Sequence, residues 1–278
     1  MTTGVAFLSR RERFRSVGST NDIVRNWMSA GTPEVSLAVA DEQMAGRGRS
    51  GRKWVAPEGA ALLLSLGFRP QYLAPDRMWR LAGVVALAMA DAAEAVAGLP
   101  DGKLRLKWPN DIVVELPGGV RKVAGVLGET AGVGTADPVA IVGIGTNADW
   151  PRDLFPDELA ESMSSLREAS GGRPIDTDEL LEAFLLRLEP RVLALRDGLF
   201  DVAGWHDRQV TTGRTVDLQL PDGGSERVRA VGVDGVTGAL LVEDEGVPGA
   251  EREVTVGEVV HLRLTADSAP DRSPGVTK

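Results

Sequence analysis

The run Ala45-Gly-Arg-Gly-Arg-Ser-Gly-Arg-Lys-Trp54 lies between two apolar stretches, Val35–Ala40 and Ala60–Gly67, and that placement limits what this chain can fold into. Gly46, Gly48 and Gly51 have the GxGxxG spacing of a dinucleotide-binding turn. Such a turn leaves a strand and opens a helix, with an acid about 20 residues further on. Here Trp54-Val-Ala-Pro57 and a second strand-like stretch follow, so the doubly wound dinucleotide fold does not fit. A phosphate-gripping P-loop fails too, because Arg52-Lys53 stands where Lys-Ser/Thr is needed. What remains is a strand-to-strand loop carrying Arg47, Arg49, Arg52 and Lys53. Glycine lets backbone amides turn inward on an anion, and arginine adds forked donors matched to phosphate and carboxylate. The loop reads as a small-molecule anion site, mobile until its anion arrives. A solvated basic loop, or one that touches nucleic acid, stays open as the alternative.

Charge weighs on that choice. The 278 residues carry a formal net charge of −9 and a pI near 4.9, so no broad basic face is available for general nucleic-acid binding. Cysteine is absent and histidine occurs twice, at His206 and His261. Disulfides, thiolate zinc sites and a cysteine nucleophile are excluded, and a histidine metal cluster or a Ser/His/Asp triad is poorly supplied. No run of 18 apolar residues and no signal-peptide start is seen, so a soluble, cytoplasmic protein without a membrane partner is expected.

In chain order, about 18 residues precede Ser19-Thr-Asn-Asp22, which reads as a helix start with Ile23, Val24, Trp27 and Met28 following at helical spacing. Ser19, Thr20 and Asn21 are either caps or exposed donors to a polar ligand. Gln43, after the strand 35–41, is either a turn residue or a partner for an amide-like or ureido group. A strand over 61–68 and a long buried helix from Asp76 to Gly98, the longest in the chain, come next. Lys103–Lys107, Ile112–Glu115 and Lys122–Glu129 predict antiparallel strands, and Val139–Gly145 a further buried one. Pro151 to Leu199 looks helical, with Pro190 bending or interrupting the helix. Short strands at 213–220, 227–232, 240–242 and 254–263, with glycine-rich turns between them, predict a small all-β barrel. The polar tail from Asp267 is expected to be disordered.

The catalytic supply lacks thiol, histidine base and acidic metal cluster, but holds the Arg-rich loop and Lys107 and Lys122 on strands. That set suits phosphoryl or nucleotidyl transfer, where the substrate supplies the nucleophile and fixed cations stabilise the transition state. Ser19-Thr-Asn21, Gly46–Trp54, Lys107-Trp-Pro-Asn-Asp111, Arg121-Lys-Val-Ala-Gly125 and Gly143-Ile-Gly-Thr-Asn147 occur in this order. Together they resemble the biotin–protein ligases, over about residues 16–265, and Thr255–His261 is similar to the family's SH3-like barrel.

The resemblance implies an α/β (α+β) fold: a mixed-sheet catalytic domain flanked by helices over 1–210, an SH3-like barrel over 211–265 and a tail over 266–278. It implies that biotin and MgATP give biotinyl-5′-AMP, whose acyl group passes to a lysine of a biotin carboxyl carrier protein domain. By motif, Ser19, Thr20, Asn21 and Gln43 would border the biotin. Arg47, Gly48 and Arg49 would wrap the adenylate phosphate and biotin carboxyl, with Lys122 as the main catalytic residue beside Arg49. Trp54 would stack on the adenine, Lys107 and Asn110 would serve the triphosphate and magnesium, and Asp111 the second step. Longer members add an N-terminal helix-turn-helix, for which 18 residues are too few, so no DNA binding is expected. Monomer and homodimer both remain open. A lipoate–protein ligase is the rival reading, and a non-enzymatic binding module a more distant one.

Overall fold

Ala61–Phe68 (β3) is buried along its whole length, as an unbroken apolar run requires of a strand covered on both faces. The computed structural model describes residues 7–220, 223–244, 249–255 and 258–261. Around β3 lie Arg10–Val17 (β1), Ser36–Gln43 (β2), Leu104–Lys107 (β4), Asp111–Leu116 (β5), Gly119–Ala131 (β6) and Val139–Asn147 (β7). They form one seven-stranded sheet in the order β1-β2-β3-β7-β6-β5-β4. β1 and β2 run parallel and every other pair is antiparallel, so the sheet is mixed.

Alternation along β3 and β7 assigns the two faces. Leu62, Leu64, Leu66, Val142 and Ile144 join the main core with Trp79–Ala97 (α2) and Thr177–Arg196 (α4). On the opposite face Thr20–Ser29 (α1) packs Val24, Trp27 and Met28 on Ala38 and Ile141. Gly67 admits that helix closely: a methyl group there would stand 2.6 Å from Met28 Sδ and 2.8 Å from Val24 Cγ1. The short helices Leu166–Ala169 (α3) and Val202–Asp207 (α5) complete the α-helices among the described residues, beside three single 3-10 turns. None of the described helices is long and apolar enough to cross a membrane.

Several expectations are corrected. β1 was not foreseen, because Arg10-Arg-Glu-Arg-Phe-Arg15 shows no apolar face; it is an edge strand whose charges reach solvent or ion pairs such as Arg13–Asp41 at 2.8 Å. Residues 151–176 are largely irregular, broken by Pro151, Pro156, Gly171, Gly172 and Pro174. α4 runs straight through Pro190 and, at 20 residues, exceeds the 19 of α2, so the latter is not the longest helix. Pro190 and Leu186, the residue one turn earlier whose helical hydrogen bond a proline cannot supply, are both exposed, so the missing bond falls on the solvent side of the helix.

The C-terminal strands Thr215–Gln219 (β8), Ser225–Val233 (β9), Leu240–Asp244 (β10), Glu251–Val254 (β11) and Glu258–His261 (β12) form a second antiparallel sheet, ordered β11-β10-β9-β8-β12. The single strand expected over 254–263 is therefore two, at opposite edges of this sheet. The turn at Pro221-Asp222 and the tail 266–278 lie outside the described residues.

The two sheets are joined through the segment after α5. Leu106 N–H donates to the Arg208 carbonyl at 2.7 Å, and Val210 N–H to the Leu106 carbonyl at 2.8 Å. The Arg208 guanidinium reaches Glu94 at 2.8 Å and Asp91 at 2.5 Å, and Glu94, only 1% exposed, also accepts the Leu104 N–H at 2.7 Å. Trp108 Nε1 donates to the Gly238 carbonyl at 3.0 Å.

Candidate active site

The floor of the site follows from strand register. Lys107 pairs with Asp111, Asp111 with Gly125, Gly125 with Gly145 and Gly145 with Leu63, so these residues share the α1 face of the sheet. In the next row Leu127 pairs with Gly143 and Gly143 with Ser65. Glycine at three of these positions removes side chains and leaves a trough. The register of β5 on β6 shifts between Ile112 and Val113, which brings Lys122 onto the same face as Asp111. Such a bulge re-aims a side chain. On the edge of β6 away from β5, Lys122 N–H donates to the Ser162 carbonyl, and Ser164 N–H to the Lys122 carbonyl, both at 2.8 Å. Its ammonium lies 2.6 Å from Asp111 Oδ1 and 5.4 Å from the centre of the Trp54 ring.

At the α1 end the trough becomes polar. Ser19 is the N-cap residue, yet its side chain makes no capping bond. Ser19, Thr20 and Asn21 are instead buried. Thr20 N–H donates to Gln43 Oε1 at 2.8 Å, and Thr20 Oγ1 lies 2.7 Å from Ser65 Oγ. Ser65 donates to Asn21 Oδ1 at 2.5 Å, and Asn21 Nδ2 to Glu129 Oε2 at 2.8 Å. Neither open reading of the Ser-Thr-Asn run is met as stated: the Ser19 side chain makes no cap, and the three residues are buried rather than exposed, lining a small hollow.

The glycine-arginine loop folds back as a small hairpin, with Gly48 N–H on the Arg52 carbonyl at 2.8 Å and Trp54 N–H on the Gly46 carbonyl at 3.0 Å. A methyl group on Gly46 would meet the Trp54 carbonyl at 2.5 Å. Arg47 is held by Asp22 through paired bonds of 2.7 and 2.8 Å, with Glu129 3.8 Å away. Arg47 is the leading cause that lowers the Asp22 carboxyl below its ordinary value; burial opposes it and Arg25 assists. Trp54 lies on the floor, its ring 2.5 Å from where a methyl on Gly145 would be and 3.2 Å from one on Gly125.

Two adjoining hollows result. The larger, of about 430 Å³, is lined by Arg47, Gly48, Arg49 and Trp54 from the loop and by Lys107, Asn110, Asp111 and Lys122 from β4 to β6. Val259 of β12 also lines it, so the C-terminal sheet supplies part of its wall. The smaller, of about 30 Å³, is lined by Ser19, Thr20, Asn21 and Gln43, and shares Arg47 and Trp54 with the larger. Every residue given a substrate or catalytic role from the sequence lines one of the two, Gly46 and Gly51 of the loop do not, and Lys122 and Arg49 face a common space. Sequence reasoning missed Asp22, Ser65 and Glu129, polar residues on apolar elements whose importance comes from register. Burial pushes the Arg49 guanidinium below its ordinary value, with Asp111 opposing and Arg52 adding. Lys107 is lowered too, first by burial, against Asp111 and with Lys122 and Arg52. A cluster of cations whose charge is disfavoured by burial and by one another is poised to take an anion.

The profile of the Biotin/lipoate A/B protein ligase family matches residues 14–147. A biotin–acetyl-CoA-carboxylase ligase of Mycobacterium tuberculosis is 32% identical over 254 residues, covering 88% of this chain and 86% of that protein. The chain belongs to the biotin protein ligase family. Among solved biotin protein ligases, that of Aquifex aeolicus in complex with biotin and ATP aligns with a TM-score of 0.73 at 27% identity, over 90% of this chain and 97% of that one. The bifunctional ligase/repressor BirA of Escherichia coli is 34% identical over 215 residues, which span 75% of this ligase and 62% of BirA.

Proposed function

We propose that this ligase activates biotin with ATP as biotinyl-5′-AMP and transfers the biotinyl group to a lysine of a carboxylase's biotin carrier domain. The observation that carries this reading is the pair of joined hollows, one cationic and one that shares Arg47 with it but is otherwise walled by the uncharged hydrogen-bonding side chains of Ser19, Thr20, Asn21 and Gln43. A cyclic urea offers a carbonyl acceptor and two N–H donors, which Ser19, Thr20, Asn21 and Gln43 can meet. The valeryl chain then runs past Trp54 on the glycine floor and brings its carboxylate among Arg47, Arg49 and Lys122.

In the first step a biotin carboxylate oxygen attacks the α-phosphorus, the bond to the β-phosphate oxygen breaks, and pyrophosphate leaves. Arg49 and Lys122 stabilise the charge that builds on the α-phosphate oxygens, and Lys107 meets the departing phosphates. Incoming phosphate favours the charged form of Lys107 and so reverses the depression caused by burial. Asn110 has its Nδ2 fixed on the Val126 carbonyl at 2.7 Å, leaving Oδ1 as an oxygen donor beside Asp111. The described residues contain no group of three or more His, Cys, Asp or Glu that could hold a metal. Magnesium takes few protein oxygens when phosphates supply the others. Asn110 and Asp111 would hold it, and it would neutralise charge on the pyrophosphate. In the second step the carrier amine attacks the acyl carbon and AMP leaves, with Asp111 available to take the amine's proton.

The C-terminal sheet, with register shifts at Leu241/Val242 and Val259/His261, is consistent with the family's SH3-like barrel over 211–265 and a catalytic domain over 1–210. Incubation with labelled biotin, MgATP and a carrier domain tests the function: label is expected on the carrier, and its absence sinks the reading. Offering lipoate instead, and assaying adenylate formation, separates the rival ligase. Trp54→Phe is expected to abolish most of the tryptophan fluorescence change on adding biotin, since Trp54 borders both hollows; an unchanged signal would place the biotin elsewhere.

A further inference from the structure

Glu129 stands at the end of β6, outside the larger hollow, and touches Asn21, Arg25 and, more distantly, Arg47. We infer that Glu129 is a positioning residue that fixes the donor–acceptor polarity of the small compartment, and through it the preference for a cyclic urea; this rests on the function proposed above.

A carboxylate accepts hydrogen bonds and donates none. Asn21 must therefore turn its Nδ2 to Glu129, 2.8 Å away, which leaves Oδ1 facing Ser65. That oxygen accepts only, so the Ser65 proton is committed to it at 2.5 Å. Ser65 Oγ, 2.7 Å from Thr20 Oγ1, must then accept the Thr20 proton. Thr20 also binds Gln43 Oε1 through its backbone N–H at 2.8 Å, a bond independent of its hydroxyl, whose oxygen lies 3.1 Å from the same acceptor. Gln43 Oε1 is thereby occupied and its Nε2 remains as a donor, while the Thr20 oxygen keeps acceptor capacity. From Asn21 through Ser65 to Thr20 each direction is forced by the one before it, and Glu129 anchors that chain. Burial of Thr20, Asn21 and Ser65 removes bulk water that could otherwise reverse a link. Arg25, 2.7 Å from the same carboxylate oxygen, holds it in place.

Glu129→Gln preserves shape but can donate, so Asn21 can flip and the order is lost. The test measures pyrophosphate release with biotin and with its guanidine analogue, in which C=NH replaces the urea C=O. In Glu129→Gln the biotin KM is expected to rise about tenfold and the preference for biotin over the analogue to fall by a similar factor. kcat and the ATP KM should stay within about twofold, a split that a general loosening of the fold would not give. Arg25→Gln, which keeps the carboxylate, is expected to retain the preference. Should Glu129→Gln fail to fold, Ser65→Ala breaks the same chain and must give the same split. Unchanged preference in the chain-breaking variant, or equal loss in Arg25→Gln, overturns the assignment. Failure of the unaltered ligase to turn over biotin would instead overturn the functional proposal.

Discussion

Lys122→Ala folds normally and forms biotinyl-adenylate about 10²–10³-fold more slowly, the usual effect of removing one preorganised donor from a developing oxyanion. The fold is expected to survive because the strand ladder here uses the backbone of residue 122, which bonds to Ser162 and Ser164 and not through the side chain. Removing the ammonium leaves Asp111 facing the larger hollow without its partner at 2.6 Å. The site has then lost one positive charge while Asp111 still holds its place for magnesium, so MgATP is bound less tightly and the ATP KM should also rise. Single-turnover measurement of adenylate, with circular dichroism to verify folding, checks both parts. Near-normal turnover would remove Lys122 from its role.

Arg208→Ala is expected to cost about 3–5 kcal/mol of stability, the range for breaking a buried ion pair and leaving one charge uncompensated. Glu94 is almost fully buried, and without Arg208 it retains only the Leu104 N–H. Asp91 is less affected, because Arg191 also binds it at 2.6 Å. The double variant Arg208→Met with Glu94→Gln, which keeps an acceptor for Leu104 N–H, should recover a large part of the loss. Urea denaturation of the three proteins decides the matter: a double variant no more stable than the single one would show that the ion pair is not the cause.

The order of the motifs and the type of most strands could be read from the sequence because both depend on local pattern. The apolar runs of β2, β3 and β7 and the glycine-arginine loop each show their character within ten residues. Less local features were hidden. β1 carries charge on both sides, since its place at a sheet edge relieves it of burying either side. Lys122 and Asp111 are eleven positions apart in sequence, and only the register shift between β5 and β6 shows that they meet. Glu129 looks like the polar end of a strand, and its bond to Asn21 spans 108 positions. Trp54 was expected over an adenine. Its position against Gly125 and Gly145 depends on two strands coming together, which no window of sequence contains.

Val259 belongs to the second sheet, yet it faces the hollow where the phosphates are proposed to bind. A wall borrowed from a neighbour keeps its shape only while the seam between them holds, and that seam includes Arg208, the backbone bonds of Leu106 and the indole bonds of Trp79 and Trp108 to Val236 and Gly238. Gentle warming should therefore blunt catalysis at temperatures where the far-ultraviolet signal of both sheets is still intact.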